Sequence, residues 1–204
     1  MEFTPKEIAA QIRYEFDLWG IDGIRKVPDD LIVAYYNEAQ DVIIHLLQDN
    51  ALAEFYKAKQ VSGISGKAPY PPGDDVLRFI SIKINDVVAT ILNATEQRRI
   101  DDDAFGGTAT DPVCWFSADK EDTKPKLHYS PTNSYTVVYT YIPKPEAVTF
   151  LKTSELPEVY HFLINLFVKT KVAEQLGHEK AALYTTKFEQ SITRINEQTQ
   201  MRFK

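Results

Sequence analysis

The sequence contains very little cysteine: Cys114 is its one thiol among 204 residues. A single thiol excludes an intramolecular disulfide, and it argues against a zinc site built from several cysteine ligands. Proteins without disulfides are typical of reducing compartments. The shortage of cysteine therefore predicts a protein made in a cytoplasm.

Long apolar runs are also missing. The most apolar stretch is VYHFLINLFV, which Lys169 and Lys171 follow closely. It falls short of the roughly 18 apolar residues that a membrane span needs. The N-terminal MEFTPKEIAAQIRYEF is charged and has no apolar signal core. We therefore expect no membrane partner.

Basic residues are not in excess. The chain carries 23 Lys and Arg against 29 Asp and Glu, which gives a formal net charge of -6. Affinity for a phosphate backbone comes from cationic side chains that displace counterions, so this composition makes the chain a poor candidate for a general nucleic-acid binder. It does not exclude DNA that passes close to the protein without being gripped.

Apolar residues, by contrast, make up 44% of the chain, which is enough for a core and argues against wholesale disorder. The charge is uneven: residues 1–60 hold 6 basic and 11 acidic side chains, and residues 150–204 hold 8 and 6. Ends of opposite sign suit contacts with each other or with differently charged partners. An ordinary solvated surface explains them equally well.

Motifs for nucleotide chemistry are incomplete. The segment SGISGK has two residues between Gly63 and Gly66, whereas a P-loop has four and continues with Ser or Thr after its Lys. Here Lys67 is followed by Ala, so a flexible loop is favoured. Cys114 lies beside Trp115, and we interpret it as a buried thiol in a strand. An enzyme that uses Lys67 or Cys114 is the competing hypothesis.

Metal ligands show no clustering either. The four histidines are His45, His128, His161 and His178, and none pairs with another at ligand spacing. The acidic run Asp101–Asp103 lacks the spacing and the distal Glu of a calcium loop. We therefore predict no metal, no cofactor and no catalytic residue, and a protein that is not an enzyme.

Apolar residues at helical spacing predict four helices, near 5–18, 28–48, 157–176 and 179–199. A capping box begins the first helix, with Thr4 at the N-cap and Glu7 three residues later. Gly177 is predicted to follow the end of the third helix. The second helix is apolar over so wide an arc that it is either central to a bundle or shared with a neighbouring subunit.

Between the two helical pairs, alternating residues predict strands over about 76–142. Tyr135, Tyr139 and Tyr141 share one face of the last strand. We interpret them as a scaffold; the alternative is a stacking platform for single-stranded nucleic acid. The predicted fold is α+β, mainly a helical bundle with an inserted antiparallel β segment. It forms a single domain over 1–204, with a helical core of 1–60 and 150–204 and a β insertion of 61–149.

An ordered set of motifs indicates a protein family. It comprises DDLIVAYYNEAQDVI (Asp29–Ile43), a proline-rich loop that leads into DDVLRFISIKI, a strand pair from Leu127 to Pro143, LPEVYHFLINLFVKTKVAEQLG (Leu156–Gly177), and a last helix rich in Ala, Glu and Phe. Together these motifs span almost the whole chain. The chain resembles the head-to-tail connector, or adaptor, proteins of tailed bacteriophages.

This resemblance implies a virion structural protein, made in the host cytoplasm, with a role in DNA packaging and tail assembly. Such proteins form a ring, typically a dodecamer, between the portal protein and a tail protein. Genome DNA passes through the lumen without specific binding. Cyclic rings need heterologous contacts, in which one face of a subunit meets a different face of the next.

We predict a partner interface on the second and last helices, formed by Ile32, Tyr36, Ile43, Leu47, Ile192, Ile195, Met201 and Phe203. The last helix and its tail, residues 191–204, are the predicted portal-docking segment. Two alternatives stay open. One is a tail-completion or tail-tube-joining virion protein, and the other is a nucleic-acid-binding regulatory module that uses the tyrosine strand.

Overall fold

The computed structural model describes residues 3–18, 27–64, 76–92, 108–117, 126–129 and 134–202. The chain divides into two compact units. The helical unit comprises Met1–Phe55 and Lys144–Lys204, and the β unit comprises Tyr56–Pro143.

The described part of the helical unit contains four α-helices and two short 3-10 helices. They are α1 (Pro5–Leu18), α2 (Asp29–Leu46), a 3-10 helix (Asp49–Phe55), a second 3-10 helix (Glu158–Tyr160), α3 (His161–Gln175) and α4 (Lys180–Arg202). The observed and predicted ends of the α-helices differ by about one helical turn at most.

Hydrogen bonds at the helix ends explain where α1 begins and where α3 ends. The Thr4 N–H donates to Glu7 Oε2 at 2.8 Å and the Glu7 N–H donates to Thr4 Oγ1 at 3.2 Å, which confirms the predicted capping box. After α3, Gly177 has a φ of 63°. The His178 N–H donates to the Ala173 carbonyl at 2.9 Å, which completes a Schellman motif.

The central helix of this unit is α3, which buries residues on most of its circumference. Its Phe167 packs edge-on against Phe188 of α4, with 5.5 Å between ring centroids. On α1, Phe16 stacks on Tyr184 of α4 at 6.1 Å. Burying each such apolar side chain contributes about 1.5–3 kcal/mol, so these contacts hold the helices together.

The β unit contains two sheets. Antiparallel pairing forms a four-stranded sheet in the order β1-β7-β2-β3, from β1 (Lys57–Ile64), β7 (Tyr135–Pro143), β2 (Val76–Ile84) and β3 (Val87–Val88). A three-stranded sheet has the order β4-β5-β6, from β4 (Thr90–Leu92), β5 (Val113–Ser117) and β6 (Lys126–Tyr129). In it, β4 and β5 pair in parallel and β5 and β6 antiparallel.

The tyrosine strand β7 pairs with neighbours on both sides, for example Tyr141 with Lys57 of β1 and with Phe79 of β2. Its odd-numbered residues from 135 to 141 are buried. They join Ile82, Ile84 and Cys114 in one apolar core. A strand with partners on both edges and rings on one face is therefore the centre of this unit.

One short stretch serves both sheets. Asn85 and Asp86 have φ values of 48° and 67°, as a type I′ turn requires, and they connect β2 to β3. The buried Ala89 follows, and its N–H donates to the Ile82 carbonyl at 2.8 Å. At the next residue the Thr90 N–H donates to the Pro112 carbonyl of the other sheet, so the chain changes sheets at Ala89.

The prediction of a mainly helical bundle with an inserted antiparallel β segment is wrong. The fold is α+β, but the strands form a compact unit with a core of its own, and one of its two sheets contains a parallel pair. The residues on either side of Ala89 belong to two strands in different sheets. Strand β1 was missed because residues 57–60 are all exposed and show no alternation. That the whole chain is a single domain stays a prediction.

Candidate functional site

The predicted interface residues do not form one surface. Ile32, Tyr36, Ile43 and Leu47 are at most 2% exposed and belong to the core of the helical unit. On α4, Ile192 is buried and Ile195 is partly buried, whereas Met201 is 70% exposed. Phe203 lies outside the described residues. Partner contact by these eight residues stays a prediction, and Met201 is the described member that is most accessible in the single chain.

The polar residues of the YYNEAQ motif bind the chain that returns from the β unit, residues 144–156, which we call the return segment. Asn37 pairs twice with Val148: the Val148 N–H donates to Asn37 Oδ1 at 2.8 Å, and Asn37 Nδ2 donates to the Val148 carbonyl at 3.2 Å. Gln40 accepts from Ser154 Oγ at 2.6 Å. The Ser154 N–H donates to the Tyr36 hydroxyl at 3.0 Å. Part of the motif that carried the family resemblance is thus a structural clamp.

His161 has a similar structural role at the start of α3. It is 2% exposed, and its Nε2 lies 3.0 Å from the Leu156 carbonyl. The Phe3 N–H donates to its Nδ1 at 3.4 Å. An Nε2 that donates and an Nδ1 that accepts define one neutral tautomer. The LP…YH motif therefore joins the start of α3 to the N-terminal segment.

Cys114 is fully buried in the β unit, and its thiol donates to the Thr90 carbonyl, with 3.7 Å between Sγ and the oxygen. Burial raises the pKa of this thiol to about 12. Because the thiolate is the nucleophile, such a thiol is poorly suited to attack a substrate. The other candidate of the enzyme hypothesis, Lys67, lies outside the described residues, as do Asp101–Asp103.

The tyrosine rings of β7 are not arranged as a stacking platform. Tyr135, Tyr139 and Tyr141 are at most 5% exposed. The Phe79 ring lies 5.7 Å from that of Tyr139 and 6.4 Å from that of Tyr141. A platform for bases needs ring faces that are open to solvent. The scaffold interpretation is therefore favoured.

Among the described residues, no cluster of three or more His, Cys, Asp and Glu side chains is arranged to hold a metal ion. None of the helices in that part of the chain combines the length and the apolarity that crossing a bilayer requires.

Several apolar side chains in the described part of the helical unit are accessible to solvent. The large ones are Tyr14, Leu46, Leu151, Val159, Phe162, Leu183 and Met201. A sequence signal existed for Phe162 and Leu183, since both lie out of phase with the buried stripes of their helices. Exposed apolar groups beside concave surfaces mark candidate interfaces.

The described part of the helical unit includes two such concave surfaces. The first has a volume of 460 Å³ and is lined by Asn50, Ala51, Ala53, Glu54, Val159, Tyr160, Ile195, Gln198 and Thr199. The second, which we call the α3–α4 groove, has a volume of 330 Å³ and is lined by Phe162, Leu166, Lys187, Gln190, Ser191 and Arg194. Both are mixed polar and apolar surfaces, suited to side chains of a partner protein.

Comparison with known proteins identifies the family of the chain. The family model described as SU10 adaptor protein matches residues 5–203. No curated protein matches the chain. The family match confirms the resemblance to phage head-to-tail adaptors that the sequence motifs carried. The chain is a phage adaptor protein and belongs to the SU10 adaptor protein family.

Proposed function

We propose that this adaptor is a structural component of the virion that forms a ring between the portal and the tail and guides DNA without catalysis. The observation that carries the proposal is the family match, which extends over residues 5–203 and so includes both units. The chain uses no cofactor in this role. Its partners are the portal protein, a tail protein and further copies of itself.

The surface of the helical unit supports a joining role. Val159 and Phe162 are exposed beside the two concave surfaces, and Met201 is exposed near the end of α4. We infer that the end of α4 docks on the portal. The net charge of -6 supports passage of DNA, because an acidic wall repels phosphate and lets the duplex slide.

The test mixes the purified full-length chain with portal rings of the phage that encodes it, followed by mass photometry and electron cryomicroscopy. We expect one closed ring of adaptor copies on each portal ring. A chain that stays monomeric and never binds the portal at any concentration would overturn the proposal. Binding to tail tubes instead of portals would favour the tail-completion alternative.

A matched pair of variants tests the docking segment. Met201→Asp places a charge on an exposed apolar position, and we expect it to weaken portal binding by about tenfold or more. Thr186→Asp adds the same charge at another exposed position of α4 and should change binding by less than about twofold. Equal effects would contradict docking by the end of α4.

A further inference from the structure

The solvent face of α2 carries three acidic residues and one alanine in a line. Asp30, Ala34, Glu38 and Asp41 are all exposed and recur every three or four residues, so they lie on one side of the helix. We call them the acidic stripe. Glu38 forms an ion pair with Lys171 of α3 at 3.0 Å. Among the described residues, Asp30 and Asp41 form no ion pair.

The α3–α4 groove has the opposite charge. Lys187 and Arg194 of α4 are exposed at its rim, and within the described ranges neither forms an ion pair. Phe162, which is 42% exposed, and Leu166 supply its apolar part from α3. A surface with two cations around an exposed ring is complementary to a segment that is acidic at two points and small between them.

The charged groups of the acidic stripe are spaced like those of the groove. Lys187 and Arg194 are seven residues apart, which is about 10.5 Å along a helix, and Asp30 and Glu38 are eight apart, about 12 Å. Ala34 lies midway between the two acids, where its small side chain leaves room for a ring such as that of Phe162. The spacing of charges and the apolar centre therefore correspond on the two surfaces.

The two surfaces lie on different sides of α3. Gln175 of α3 accepts a hydrogen bond from the Tyr35 hydroxyl of α2 at 3.0 Å, so this side of α3 faces α2. Leu166, in the groove, is nine residues before Gln175, which is about two and a half turns and places it on the opposite side of the helix. One copy can therefore use both surfaces at once, as a heterologous ring contact requires.

We propose that the acidic stripe of one copy docks in the α3–α4 groove of the next copy. This contact rests on the ring function proposed above and specifies how neighbouring subunits meet. It differs from the interface expected on the apolar residues of α2, since it uses the exposed side of that helix and a groove formed by two other helices.

The test uses two double variants of the full chain with portal rings. The groove variant is K187E/R194E, and the stripe variant is D30K/E38K. The second substitution also removes the partly exposed ion pair of Glu38 with Lys171, which contributes about 0–1 kcal/mol. Each alone places like charges across the contact, so we expect the number of copies bound per portal to fall by about tenfold or more. The control is K57E/K59E, which makes the same charge change at exposed positions of the β unit and should leave assembly within about twofold of the unaltered chain.

An equal mixture of the two double variants is the decisive measurement. In an alternating ring, the reversed groove of one variant meets the reversed stripe of the other, so the mixture should recover assembly. If the groove variant still fails to assemble in the mixture, the groove contacts the portal or DNA rather than a second copy, and the proposal is overturned.

Two further outcomes separate this contact from the ring function. If the unaltered chain forms rings and both double variants do so equally well, the contact is overturned while the ring function stands. If the unaltered chain forms no ring on the portal, both are overturned.

Discussion

The two units hold their chain in place by different means. In the helical unit, the return segment has little regular structure, and side chains of α2 such as Asn37 and Gln40 bond to it directly. In the β unit, β7 is held by backbone pairing on both edges and by buried rings on one face. Polar side chains therefore hold the return segment in the helical unit, whereas backbone pairing holds β7 in the β unit.

This difference decides what a single substitution removes. Backbone pairing in β7 persists when a side chain changes, so a truncated ring costs mainly apolar contact and leaves a cavity. In the helical unit, the side chain is itself the hydrogen-bonding group, so its removal leaves buried backbone groups of the return segment without partners. Substitutions in the two units should therefore differ in what they cost and in which segments they loosen.

Tyr139→Ala should have the largest effect, because it empties the centre of the β-unit core. We expect the free energy of unfolding of that unit to fall by about 3–5 kcal/mol. Segment-resolved hydrogen exchange should show faster exchange in β2 and β7 than in the unaltered chain. Tyr139→Phe keeps the ring and should cost at most about 1.5 kcal/mol. Equal acceleration in α3 would show that the two units unfold together.

Asn37→Ala should have the next largest effect, through the helical unit. It removes both hydrogen bonds to Val148, and we expect a loss of about 2 kcal/mol, from about 1 kcal/mol for each bond. Faster exchange of the Val148 amide is the direct measurement. Asp41→Ala, at an exposed position of the same helix, should stay within about 0.5 kcal/mol. An Asn37→Ala chain as stable as this control would contradict the clamp.

Alkaline pH should weaken the β unit through Cys114. Burial raises the pKa of this thiol from 9.0 to about 12. The stability that the buried, protonated thiol contributes is therefore fully present below pH 9 and is lost as the pH rises from 9 toward 12. Urea unfolding at pH 7.5 and at pH 10 should show a loss on the order of 1 kcal/mol that Cys114→Ala does not share. The same pH dependence in both chains would refute this account.

Acid pH should loosen the start of α1, with the smallest effect. Bonds from Thr4 lower the pKa of Glu7 below 4.5, so the capping contribution is present above that pH and is lost as the pH falls through the lowered value. An NMR titration of the Glu7 carboxyl should have its midpoint below 4.5. Thr4→Ala should move that midpoint upward, whereas Thr4→Ser should keep it low.

The helices and their ends could be predicted because their signals are local. A capping box and a glycine after α3 depend on residues within one turn of each other. The change of sheet at Ala89 has no such signal, because it depends on the Pro112 carbonyl more than twenty positions away. Strand β1 was missed for a related reason: it is an edge strand with exposed lysines, and its pairing with β7 gives no alternation in sequence.

The predicted interface shows where a pattern of apolar residues stops being informative. The wide apolar arc of α2 indicates that both sides are covered, but not whether the same chain or a neighbour covers them. Within this chain Tyr36 is covered by its own return segment, through Ser154. Accessible residues such as Phe162 were not predicted, because a single apolar residue on the polar side of a helix is a weak sequence signal. Its position beside Lys187 and Arg194 of α4 is evident only in the folded structure.

The antiparallel pairing of Lys57 with Tyr141 places the beginning and the end of the β unit side by side. A module whose two ends meet can be lengthened, shortened or exchanged without pulling apart the polypeptide that flanks it. The β unit can therefore be replaced while the chain on both sides of it is retained. A chimera with a tight loop in place of residues 57–141 would join the two flanking chain ends, which the Lys57–Tyr141 pairing already holds side by side.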